Sequence, residues 1–152
     1  MTDTPDPSAA GDGPPPEPSG AASPTYRHEG PAVSAIVYYV LLVTRRRRPL
    51  FEDAAVKARA EELVVASAEG AGLGVRFVDV APATVTVHVE APPTMSPHEV
   101  VRAIRQPTAS ALKAEFEAVR RAHSVFVRRY LVTTMPVPEM DGAAFERSVP
   151  KR

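Results

Sequence analysis

The residues with the clearest chemical potential are four arginines in a row. Arg45, Arg46, Arg47 and Arg48 follow the apolar run Ala35–Val43 and are closed by Pro49. A guanidinium is a fixed cation with several donors and no basic lone pair. A run of them therefore offers binding of anions, phosphate above all, and not acid–base or nucleophilic chemistry. Further arginines stand at Arg102 and Arg105, Arg120 and Arg121, and Arg128 and Arg129. The histidines, His28, His88, His98 and His123, are scattered and form no cluster. Cysteine is absent, which excludes disulfides, thiolate zinc sites and cysteine nucleophiles.

These residues must be positioned by regular elements, and the hydrophobic pattern supplies seven. Ser34–Val43 is rich in β-branched and aromatic residues and predicts a buried strand, ended by the arginines and Pro49. Residues 53–69 predict a helix with Val56, Ala60, Leu63, Val64 and Ser67 on one stripe, stopped by Gly70-Ala71-Gly72. Gly74–Val80 predicts a second strand. Thr84–Glu90 predicts a third by strict alternation: Val85, Val87 and Val89 face one way, and Thr84, Thr86, His88 and Glu90 the other. Ser96-Pro97-His98-Glu99 combines an N-cap serine, proline at the first helical position and a capping-box glutamate. The helix it opens carries Val100, Val101, Ile104, Leu112, Phe116 and Val119 to about Arg121, with a kink expected at Pro107. Ser124–Thr134 predicts a fourth strand, in which Arg128 and Arg129 point to opposite faces, and residues 138–147 a short helix.

The order β-α-β-β-α-β predicts an α+β, ferredoxin-like domain: a four-stranded antiparallel sheet with two helices on one face. It is expected over residues 32–149. Residues 1–31 hold eight of the 17 prolines and are expected to be a disordered tail. The net charge of +0 hides an asymmetry, because residues 1–30 carry five acids and one base. Removing these from 18 of each leaves 17 bases against 13 acids in the rest. The folded part is mildly basic, which permits an anionic partner without requiring one. No stretch of 18 apolar residues spans a membrane and the N-terminus lacks a secretory pattern, so the expected location is the cytoplasm.

With the elements in place, the chain resembles the single-tyrosine transposases of the insertion-sequence 200/605 type. Residues 37–51, an apolar strand, a basic cluster and a proline, are similar to the family's opening strand. Val80-Ala81-Pro82-Ala83-Thr84-Val85-Thr86-Val87-His88 is similar to a segment that the family writes M-P-D-H-U-H, with U hydrophobic. Ser96 to Phe116 resembles its long second helix, and Tyr130-Leu131-Val132-Thr133-Thr134 the close of its last strand. The resemblance implies a dimeric scaffold that acts on single-stranded or hairpin DNA.

The resemblance also exposes departures. The family's two metal-binding histidines fall on Thr84 and Thr86, its aspartate on Ala83, its nucleophilic tyrosine on Phe145 and its further metal ligand on Val149. Threonine hydroxyls are poor substitutes for a pair of imidazoles, and a phenyl ring has no oxygen with which to attack phosphorus. The expectation is a protein without catalytic residues, metal or cofactor that still binds DNA, through Arg45, Arg46, Arg47, Arg48, Arg102 and Arg105. The bland alternatives are a solvated strand end for the four arginines and a helix-dipole partner role for Arg120 and Arg121. His88 is read as a packing or surface histidine and Tyr130 as a structural aromatic. At the level of function the alternative is a protein-interaction module or remnant on the same dimeric scaffold. An RNA-recognition domain shares the fold but needs aromatics on the two central strands, and Thr84–Glu90 offers valine and threonine.

Overall fold

In a computed structural model of the chain, residues 26–135 are described. The central sheet contains β3 (Ile36–Thr44), β4 (Gly74–Ala81), β5 (Thr84–Ala91) and β6 (Phe126–Thr133). They lie in the order β4-β5-β3-β6, with every neighbouring pair antiparallel. Two helices, α1 (Ala54–Gly70) and α2 (Pro97–Glu115), cross over between strands, and a single turn, α3 (Glu117–Arg120), follows α2. This is the α+β, ferredoxin-like arrangement expected from the element order.

The alternation of β5 sets the two faces. Val85, Val87 and Val89 are fully buried and join Val40 and Leu42 of β3 beneath the helices. Burying each of these side chains is worth about 2 kcal/mol relative to exposure. From α1 come Val56, Ala60, Leu63, Val64 and Ala68, so the stripe ends on Ala68 rather than Ser67. From α2 come Val100, Val101, Ile104, Thr108 and Leu112. The opposite face holds a small second cluster, Leu41 and Val43 against Val127 and Leu131.

Local signals fix the helix ends. Asp53 caps α1 by accepting from the Ala55 and Val56 amides, and Ser96 with Glu99 forms a complete capping box on α2. Pro107, where a kink is expected, does not interrupt the helix. It runs through to Glu115 and breaks at Phe116, which is extended (φ −121°, ψ 120°). Pro107 is exposed, so the carbonyl left without an amide partner is on the wet side of the helix, where water can serve it. Regular structure also begins upstream of Ala32. β1 (Arg27–Glu29) pairs with β2 (Ala32–Ser34) around Gly30, whose φ of +57° suits glycine. The Arg27 guanidinium pins this hairpin by donating to the Gly72 carbonyl at 2.7 Å. Residues 138–147, Phe145 and Val149 lie outside the described residues.

A candidate nucleic-acid interface

The arginine run leaves the sheet at the end of β3 in two 3₁₀ turns, Arg45–Arg47 and Leu50–Glu52. Thr44, fully buried, donates its hydroxyl to the Arg48 carbonyl at 2.8 Å, and the Arg45 amide donates to the Val125 carbonyl at 3.0 Å. Between these anchors Arg46 and Arg47 adopt φ values of 57° and 49°. Left-handed backbone at two consecutive arginines costs on the order of 1–3 kcal/mol each, and such strain concentrates at functional sites.

The strained turn faces the α3–β6 connection. Arg45, Arg46 and Arg48 line a hollow of about 290 Å³ together with Leu50, Arg121, Ala122, His123 and Ser124. Two more hollows open around the same serine. One holds Arg105, Gln106 and Lys113 beside Ser124 and Phe126, and the other holds Arg45, Val127, Arg128 and Arg129. No acidic side chain lines any of the three among the described residues. The result is a broad cationic surface centred on Ser124, assembled from the turn after β3, from α2, from the α3–β6 connection and from β6.

The sequence-predicted binding residues are distributed unevenly over this surface. Arg45, Arg46 and Arg48 converge in the first hollow, and Arg105 reaches the second. Arg105 is held there by a 2.9 Å bond to the Arg128 carbonyl, with its guanidinium 5.3 Å from the Tyr130 ring centroid. Arg102 lines none of these hollows and contacts Gln106. Arg120 donates to the Lys113 and Ala114 carbonyls at 3.0 and 2.9 Å, closing the α2 C-terminus, as the helix-dipole reading requires. Lys113, His123 and Ser124 escaped the sequence reading. Each is unremarkable in its own segment and gains a role only when α2, α3 and β6 meet.

On the sheet face away from the helices, Thr84, Thr86 and His88 project side by side from β5. Across β3 they oppose Val43, Leu41 and Tyr39, and across β4 they oppose Ala81, Asp79 and Phe77. A divalent metal here would meet two neutral hydroxyls, with leucine and valine on the β3 side and a single carboxylate, Asp79, on the β4 side. Among the described residues no three His, Asp or Glu side chains converge in a ligand set. The hydroxyls of Thr84 and Thr86 are by themselves poor ligands for a divalent metal. His88 packs edge-on to Tyr39 (centroids 4.5 Å apart) and beside Phe77 (4.8 Å), and burial lowers its imidazole from its ordinary range. Two rings thus meet on the central strands, although β5 carries no phenylalanine, tyrosine or tryptophan. Tyr39 on β3 and His88 on β5 come into register only when the strands pair.

This sheet and its crossover helices form a scaffold that many functions share, so the class of protein comes from the family match. The family described as "Transposase IS200 like" matches residues 32–141, and the chain belongs to that family. The fold is similar to the crystal structure of a Deinococcus radiodurans R1 protein described as a "putative transposase". The TM-score is 0.68 at 18% identity, covering 80% of this chain and 93% of that one. No curated protein matches. Among the described residues no helix is long and apolar enough to cross a membrane.

Proposed function

We propose that the protein is a DNA-binding member of the family that has lost the cleavage chemistry, and that it engages single-stranded or hairpin DNA. The observation that carries this reading is the asymmetry between two surfaces. Where the resemblance puts metal-binding histidines stand Thr84 and Thr86, backed by Leu41 and Val43. The arginines of the same scaffold are meanwhile gathered into hollows free of acidic lining among the described residues. Phosphate contacts need cationic charge in one place and no nucleophile. Phe145 at the tyrosine position adds to this reading from the sequence. A homodimer belongs to the proposal as the family's implied state, and β6, at the edge of the sheet, leaves a strand edge on which two copies could pair.

A mobility-shift series tests it, with hairpin and linear oligonucleotides over a range of salt and with magnesium or manganese present. The expected outcome is binding that weakens with salt and leaves no covalent product. Each lost phosphate contact flattens the slope of log K against log salt by about 0.7 on single strands. Replacing Arg45, Arg46 and Arg48 with alanine should therefore flatten it by roughly 2. A covalent protein–DNA adduct with metal would overturn the loss of chemistry, and salt-independent or absent binding would overturn the DNA reading.

A further inference from the structure

Resting on the DNA-binding reading above, we infer that Phe77, His88 and Tyr39 form a stacking row that receives the bases of single-stranded DNA, with the phosphates led toward Arg45 and Arg129. Three strands contribute one ring each at the same level of the sheet: Phe77 lies opposite His88 on one side, and Tyr39 opposite it on the other. His88 and Phe77 are inclined by 34°, His88 and Tyr39 by 66°. A sheet face that only needed covering would be served by aliphatic side chains, as Leu41 and Val43 serve it two and four residues along β3. Flat rings across neighbouring strands add something aliphatics lack, a surface on which any base can lie. Phe77 remains 48% exposed at the edge of the row, leaving ring surface accessible to a base. The lowered proton affinity of His88 keeps that ring neutral near pH 7, so the middle of the row is a π-surface and not a cation.

The surroundings give the strand a direction. Tyr39 and His88 of the row, with Leu41, Thr86, Leu131 and Thr133, line a small depression of about 40 Å³ that carries two hydroxyls able to bond base edges. Charge is divided across the face. Asp79 and the Arg76–Glu90 ion pair (2.9 Å) lie on the β4 side and repel or ignore phosphate. Arg45, Arg128 and Arg129 share their hollow with Val127, which packs against Val43. Val43 lies four residues from Tyr39 along β3, roughly 13 Å at strand rise. That distance places the cationic hollow within a few nucleotides of the rings, so one short strand can stack at one end and be neutralised at the other.

The test compares the full-length protein's affinity for a twelve-thymidine strand and for an abasic strand with the same number of phosphates, by fluorescence anisotropy at fixed salt. Stacking predicts binding to the abasic strand weaker by about tenfold or more. Phe77→Ala and Phe77→Leu should each lose about tenfold on the thymidine strand and nothing on the abasic one, and Phe77→Trp should restore the loss. Equal affinity of the wild-type protein for both strands, or unchanged thymidine binding by Phe77→Ala, overturns the row. Loss of both strands on replacing Arg45, Arg46 and Arg48 would leave the DNA-binding reading standing even then. Failure of the wild-type protein to bind either strand ends both. If Phe77→Ala alters sedimentation, or exposes residues 136–152 to protease, while thymidine binding is unchanged, the row covers a second copy or the chain's own C-terminal segment, and the inference fails.

Discussion

The Thr44 hydroxyl donates to the Arg48 carbonyl at 2.8 Å and closes the loop that forces Arg46 and Arg47 into left-handed backbone. Together with the Arg45 amide on the Val125 carbonyl and the Arg48 amide on the Arg45 carbonyl, this bond holds a turn that the intervening arginines would not choose, and the turn presents Arg45, Arg46 and Arg48 to one hollow. Thr44→Val removes this bond without changing any charge. It should cost about 1 kcal/mol in urea unfolding, since the Arg48 carbonyl loses one of its two donors and keeps only the Leu50 amide at 2.8 Å. DNA affinity should fall as the arginines scatter, although the net charge is untouched. A variant that loses stability but binds as before would show the turn to be structural only.

Arg46→Gly makes the opposite trade. Glycine adopts a φ of 57° without the Cβ penalty, at the expense of a more flexible unfolded chain. The balance predicts stabilisation of about 1 kcal/mol, with weaker DNA binding and a flatter salt dependence. Thermal unfolding and the salt series measure the two halves independently. A destabilised variant would mean that the Arg46 side chain contributes more to folding than its backbone costs.

The sheet was legible because β5 alternates without fault and Ser96-Pro97-His98-Glu99 is a complete helix start. Both signals are local, and both act in the structure as read. The kink expected at Pro107 does not interrupt the helix, because the cost of proline depends on which side of the helix faces water, and that is a tertiary fact. The hairpin at Arg27–Ser34 was hidden by the proline-rich composition around it. Its anchor is the Gly72 carbonyl, 45 residues away in sequence. At the candidate site the arginine run was visible, but not its partners. Lys113 is brought to Ser124 by the packing of α2 on β6, the His123-Ser124 segment meets Arg45, Arg46 and Arg48 only in the fold, and the Tyr39–His88–Phe77 row exists only through strand register.

Thr108 carries a second stability prediction. It is fully buried in α2 and its hydroxyl has no hydrogen-bond partner. A buried hydroxyl in that state costs on the order of 1–3 kcal/mol, and valine has nearly the same shape. Thr108→Val should raise stability by about 1 kcal/mol and leave DNA affinity unchanged, because Thr108 faces the core and not the basic surface. A denaturant midpoint that moves down would indicate that the hydroxyl is satisfied in solution.

Restoring the imidazoles tests the threonines directly. Thr84→His and Thr86→His together put two rings on one face of β5, with Asp79 directly opposite Thr86 to offer a carboxylate. The double variant should bind nickel or cobalt measurably in calorimetry, where the wild-type protein does not. It should still form no covalent DNA adduct with manganese, because Phe145 has no oxygen to donate. Metal binding of equal strength in the wild-type protein would mean that a ligand set exists elsewhere in the chain.

His88 sets a pH dependence whose sign follows from its burial. Desolvation lowers its pKa below the ordinary 6.5, so between those two values the unfolded chain binds a proton that the folded chain refuses. Stability is therefore full above about pH 6.5, falls as the pH drops through the folded pKa, and levels off beneath it. Tyr39 and Phe77 flank the ring as uncharged groups, and the charged groups nearby on β4 and β5 are Asp79 and the Arg76–Glu90 ion pair. His88→Phe keeps a ring in the row and removes the titration. Its melting temperature should change less than that of the wild-type protein between pH 7 and pH 5. Losses that begin only nearer pH 4.5 in both proteins belong to carboxylates such as Glu115, held below its usual range by hydrogen bonding to Arg59. If the two melting curves track each other across the whole range, the imidazole is hydrated in solution and the ring is not packed between Tyr39 and Phe77.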